Sequence, residues 1–140
     1  MGVDMDGESG ERDKDRERHL ALQYGLEYLE SMQRPLLERL NHDNVDMDTL
    51  ARYSTALMIE AAEFANEMPW KQWGSKEPSR AKILEEFVDL LHFIGTWTVL
   101  LRHYDITPED IAEAFEQKNK INHARFNAKG IDSVPRELGT

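Results

Sequence analysis

The sequence predicts an all-α fold, a helical bundle of about four main helices completed by oligomerisation, and three observations about the chain carry the all-α part. Apolar residues recur at helical spacing, no stretch shows the period-two alternation of a strand, and capping residues or prolines punctuate the periodic segments. The 140 residues suit one domain large enough to bury a core.

Residues 1–15 alternate glycine with charge and contain no apolar core, which predicts a disordered acidic tail rather than a signal peptide or membrane anchor. Asp6 stands where a myristoylation signal needs Ser or Thr. The main domain is expected over 16–128, with a C-terminal tail over 129–140. Its first helical region runs from about Arg16 to Leu40, with Leu20, Leu26, Tyr28, Leu29 and Met32 as apolar contacts. Pro35 should kink or divide it.

The second helix begins at Asp46 or Asp48, either of which can cap it, and continues to Met68 before Pro69. Glu60, Glu63 and Glu67 flank its apolar stripe of Leu50, Leu57, Ala61 and Phe64. From Trp73 to Arg80 the residues Gly74, Ser75, Pro78 and Ser79 predict a loop. A third helix starts at Ser79 and is apolar around most of its circumference, the mark of a central element. Its longest uncharged run, Leu90 to Leu101, is too short to cross a bilayer. The fourth helix opens with Thr107, Pro108, Glu109 and Asp110, a cap followed by proline and acids in the first turn.

Two couplets, Glu60-x-x-Glu63 and Glu86-x-x-Asp89, give the chain its chemistry. With 27 acidic residues, chance alone supplies about five such pairs, so context must carry the argument. Residues three apart share a helix face, and two such helices packed together would form a four-carboxylate cage. Ionised carboxylates leaving water cost several kcal/mol each unless compensated, and no Lys or Arg occurs between Glu85 and Arg102. A bound cation is the simplest compensation.

The fourth helix adds a stripe of Ile111, Phe115, Lys118, Asn122 and Arg125, expected to face inward. Its last three members can grip phosphate oxygens. Equally, Lys118 and Arg125 can simply complement the C-terminal end of the helix dipole. The formal charge of −10 argues against nucleic-acid polymers and anionic membranes as partners. No cysteine is present, which removes disulfides, thiolate metal sites and thiol nucleophiles and makes no demand for an oxidising compartment; a cytoplasmic location is expected.

Glu60-Ala-Ala-Glu63, Pro69-Trp70-Lys71-Gln72-Trp73, Glu86-Phe-Val-Asp89 and Lys118-Asn119-Lys-Ile-Asn122-His-Ala-Arg125, in this order and spacing, resemble the all-α dUTPase family within the MazG-like nucleoside triphosphate pyrophosphatase superfamily. The resemblance covers about Asp48 to Arg125. It implies that Glu60, Glu63, Glu86 and Asp89 bind magnesium, and that Lys118, Asn122 and Arg125 contact phosphates or deoxyribose. Trp70, Lys71 and Trp73 would lie near the nucleotide, although aromatic rings after a helix end often serve only to close a core. His92 is read as a core histidine outside the site.

The implied reaction is hydrolysis of a deoxynucleoside triphosphate, dUTP first, to the monophosphate and pyrophosphate. Hard carboxylate ligands suit Mg²⁺, with Mn²⁺ a substitute. Glu60, ahead of Glu63, would act as base for the attacking water. A homodimer or dimer of dimers is expected because one chain offers too little surface to cover the third helix.

The sequence also departs from the family. Where relatives carry a Gln-x-x-Asn pair on the first helix, Gln23 is followed three residues later by Leu26 and Gln33 by Leu36. This leaves open a MazG-like enzyme acting on dCTP or a non-standard triphosphate. A ferritin-like di-iron protein would need two Glu-x-x-His pairs, which the chain lacks. A non-catalytic helical interaction module, its acids a solvated face, is the alternative of another class.

Overall fold

The structure, a computed structural model, describes residues 5–40 and 44–129, with side chains from residue 9 onward. Four α-helices and a short 3₁₀ turn form an all-α chain: α1 (Met5–Arg39), α2 (Met47–Asn66), α3 (Arg80–Leu101), the turn Arg102–Tyr104, and α4 (Pro108–Lys129). No strand occurs among the described residues. No helix among them is long and apolar enough to cross a membrane.

Local chemistry sets most of the boundaries. The Asp46 carboxylate accepts both the Thr49 backbone N–H and its hydroxyl at 2.8 Å, so Asp46 caps α2 and Asp48 lies in the first turn. Those two hydrogen bonds, the backbone one first, hold the Asp46 carboxyl below the usual carboxylate range. Ser79 caps α3, accepting from the Lys82 N–H. Asp105 adopts the left-handed conformation with φ 57°, which Asp tolerates better than most residues, and closes the 3₁₀ turn.

Helix α1 corrects one expectation. It begins at Met5, so residues 5–15 are helical where composition suggested a disordered tail. Arg, Glu and Lys are good helix formers, and Arg18 pairs with Asp15 at 3.6 Å on its surface. Pro35 lies inside the helix without dividing it. Residues 1–4 and 130–140, which include most of the expected C-terminal tail, lie outside the described residues.

The chain divides into two compact units. The first contains α1 up to Gln23 and α4 from Glu109. Within it Ala112 is fully buried and His19 Nδ1 sits 3.3 Å from Glu116.

The second unit, Tyr24–Pro108, carries the larger core. Leu26 and Leu37 on α1 and Val99 and Leu100 on α3 are buried. Tyr28 and Met32, expected as core contacts, are exposed instead; the inward side of α1 runs through Leu26, Glu30 and Leu37. Glu30 survives burial because its carboxylate accepts from Arg102 Nε at 2.7 and 2.9 Å and from Arg34 at 3.0 Å. Beside this pair α1 and α3 approach closely at Gly95. A Cβ there would lie 2.8 Å from the Leu29 carbonyl oxygen and 2.9 Å from Gln33 Cγ.

Gly95→Ala should therefore destabilise the protein by about 1–3 kcal/mol, the usual cost of overpacking a close interface. Urea unfolding checks it, and a wild-type midpoint would show that α1 and α3 separate freely.

Candidate functional site

Two contacts fix how α2 and α3 pair. The Trp97 indole N–H donates to the Tyr53 carbonyl at 3.4 Å, and the Phe64 and Phe87 rings lie 5.6 Å apart. Residue 53 therefore meets 97 while 64 meets 87, so the helices run antiparallel. Glu63 directly precedes Phe64 and Glu86 directly precedes Phe87. Helical spacing then carries Glu60 to the same face.

The consequence is a three-carboxylate group. One oxygen each from Glu60, Glu63 and Glu86 lie within 4.8 Å of one another. Glu60 and Glu86 are half-buried and Glu63 is exposed. Asp89, expected as the fourth ligand, is not a member of that group; its carboxylate is about half exposed and lies 4.0 Å from His92 Nδ1. Its charge nevertheless reaches Glu60 and Glu86. His92 is exposed, so it is not the core histidine its apolar helix suggested.

The electrostatics of the group are unfavourable without a counter-charge. Oε2 of Glu60 and Oε2 of Glu86 are both buried and accept no hydrogen bond. Among the described residues no Lys, Arg or His pairs with Glu60, Glu63 or Glu86. Lys82, one turn before Glu86, gives its ammonium to Glu85 at 2.8 Å. Burial first and the neighbouring Glu63 charge second raise the Glu60 carboxyl above its ordinary range. The same two causes raise Glu86. A hard divalent cation fits this donor set, which offers oxygen only and leaves two buried lone-pair sites unpartnered.

Past the end of α2 the chain forms an aromatic turn. The Trp70 indole N–H donates to Asn66 Oδ1 at 3.0 Å, the Trp70 and Trp73 rings meet edge-on at 6.3 Å, and Lys71 Nζ lies 5.3 Å from the Trp70 ring centre. Trp73 is 82% exposed, so it does not close a core within this chain. Asn66, Met68, Trp70, Lys71, Gly74 and Lys76 line a cleft of about 270 Å³. Lys76, which the sequence did not single out, reaches back to Glu67 at 3.2 Å. No local pattern announces that contact, because a loop makes it.

Lys118, Asn122 and Arg125 lie in the other unit, on an exposed side of α4. Their stripe was expected to face inward, yet Phe115 within it is 62% exposed while Ala112, outside the stripe, is buried. A 4-3 spacing identifies a helix face without saying which face is covered, and a small alanine allows closer packing than the phenylalanine.

A family model described as dUTPase matches residues 25–102, more than half of the chain. The matched segment contains both couplets and the aromatic turn and stops before α4. No curated protein and no solved structure matches the chain.

The raised Glu60 and Glu86 carboxyls fix the sign of a pH effect. Between the unfolded and the raised folded pKa the native state binds more protons, so cation-free stability falls as pH rises through that window. Glu86→Gln should flatten the fall and raise the melting temperature at neutral pH. Thermal unfolding across the window in chelator decides it; a variant less stable than wild type at neutral pH defeats the assignment of an uncompensated charge.

Proposed function

The chain belongs to the all-α dUTPase family of the MazG-like superfamily, and on that premise we propose that it hydrolyses a deoxynucleoside triphosphate, dUTP first, to the monophosphate and pyrophosphate with Mg²⁺ as cofactor. The family supports a nucleoside triphosphate pyrophosphatase at the coarser level. The observation that carries the metal-dependent reading is the pair of buried, unpartnered carboxylate oxygens on Glu60 and Glu86 beside Glu63.

In this proposal Glu60, Glu63 and Glu86 would hold the cation, with Asp89 as the further candidate ligand. The ion, Mg²⁺ or Mn²⁺ in its place, supplies positive charge that neutralises the triphosphate and polarises phosphorus. Glu60 takes the proton of the attacking water, and Glu63 is the second candidate for that role. Trp70 and Trp73 offer exposed ring faces to a base, and Lys71 brings an ammonium to the same turn. Contacts from Lys118, Asn122 and Arg125 to phosphate or deoxyribose rest on the resemblance of their segment alone.

One observation favours a second substrate reading within the same superfamily, with dCTP or a non-standard triphosphate in place of dUTP. Gln33 accepts from the Thr96 hydroxyl at 3.4 Å, and the residue three further on is Leu36 rather than Asn. The amide is thus engaged by α3, and the base-reading pair of the family is incomplete here.

Self-association belongs to the proposal as well. Tyr24, Tyr28, Met32, Leu36 and Leu40 recur every fourth residue along α1 and its end, all more than half exposed. Such a patch needs a partner surface, and a homodimer or dimer of dimers provides one. A cytoplasmic location, with no membrane or nucleic-acid polymer as partner, completes the reading.

Pyrophosphate release from dUTP, dTTP, dCTP and UTP, with and without Mg²⁺, tests the reaction. dUTP should lead, although a pocket sensing one methyl group separates dUTP from dTTP by only about 1–3 kcal/mol. Equal kcat/KM for dCTP transfers the assignment to the second reading, and no turnover of any triphosphate leaves the interaction module.

Glu63→Ala and Asp89→Ala should each abolish Mg²⁺-dependent turnover while circular dichroism retains the helices. Loss of helix together with activity would make these side chains structural instead. Sedimentation at micromolar concentration should show a dimer or tetramer; a fully active monomer rules out the assembly.

A further inference from the structure

The acidic seam between α2 and α3 does not end at Glu63 and Glu86. Glu67 stands four residues beyond Glu63, and its backbone is still helical, so it lies on the same face one turn further along. The pairing sense of the helices brings it toward the start of α3, where its charge acts on both Glu86 and Lys82. Its side chain is only 17% exposed. Of the two ammonium groups at this end, Lys82 is committed to Glu85 at 2.8 Å, and Lys76 holds Glu67 at 3.2 Å.

Lys76 differs from a helical partner in where it comes from. It belongs to the segment between α2 and α3, which outside the turn closed by the Gly74 N–H on the Lys71 carbonyl has no regular structure. It also lines the cleft shared with Asn66, Trp70 and Lys71. One ammonium thus belongs both to the open end of the acidic seam and to the aromatic cleft. Its own side chain is 46% exposed, so its ammonium is already partly hydrated while it holds Glu67. An ammonium on Glu67 and a divalent cation on Glu63 and Glu86 would repel each other within the same seam.

We propose that Lys76 is a positioning residue, a tethered counter-ion that fills the end of the acidic seam and is displaced when a divalent cation loads it. Displacement frees the aromatic segment from α2 and places a second ammonium beside Lys71, where a polyphosphate can be received. The role rests on the reading of the seam as a cation site.

Mg²⁺ alone, titrated into the nucleotide-free full chain, tests it by calorimetry and tryptophan emission in parallel. Wild type should bind Mg²⁺ saturably with a change in emission. Lys76→Met should bind several-fold more tightly and lose the emission change, while Lys76→Arg stays near wild type in both. Equal affinity and an equal emission change in Lys76→Met overturn the role of Lys76 and leave the cation site standing. Absence of saturable binding in wild type and Lys76→Met overturns the cation site and the role of Lys76 together. Lys76 lies outside every helix, so circular dichroism of the variants should match wild type.

Discussion

Antiparallel packing of α2 on α3 is the constraint on which the chemistry depends. Phe64 against Phe87 and Trp97 against the Tyr53 carbonyl fix the register of the pair. Once that register is set, Glu60, Glu63 and Glu86 have no freedom to avoid one another, because each is anchored within one residue or one turn of a packed aromatic. Like charges are thereby held together by apolar contact, and the stability to do so comes from elsewhere in the Tyr24–Pro108 unit. The close approach at Gly95 and the buried Leu26, Leu37, Val99 and Leu100 supply it.

Glu30 shows what an acid in this unit looks like when its role is structural. It is at least as buried as the site carboxylates, yet Arg34 and Arg102 satisfy it from two sides. Glu67 is an intermediate case, mostly buried and paired with Lys76 from the loop. Among the described residues Glu60 and Glu86 have no ion-pair partner, and each keeps a buried oxygen without a donor. Within one small unit the same residue type thus appears compensated, half-compensated and uncompensated. Burial cost is common to all, so the difference marks the uncompensated pair as the place where an external cation is expected.

The aromatic turn follows similar logic with apolar surface in place of charge. Trp70 and Trp73 are large rings left in solvent, meeting edge-on, with the Trp70 N–H on Asn66 and Lys71 over the Trp70 ring. Rings so placed add little to a core and offer their faces to a planar ligand. Lys71 and Lys76 give the same turn positive charge in a chain whose net charge is −10. The cationic cleft beside an anionic seam is what a nucleotide with a metal-bound phosphate tail requires.

Fold class, an acidic cap at Asp46 or Asp48, a helix start at Ser79, the start of α4 and the two couplets were legible in the sequence, because each rests on spacing within one helix or on residue types at a helix start. The family resemblance was legible for the same reason, being a matter of order and local pattern. Which side of a helix would be covered was not. Tyr28 and Met32 turned outward and Leu37 inward, Ala112 rather than Phe115 was buried on α4, and His92 emerged exposed from the most apolar helix. The reach of Lys76 to Glu67 and the partial separation of Asp89 from its couplet likewise belong to tertiary structure. Helical periodicity fixes the angle between side chains on one helix, whereas burial and charge pairing depend on where the next helix or loop is laid, and only the packed chain decides that.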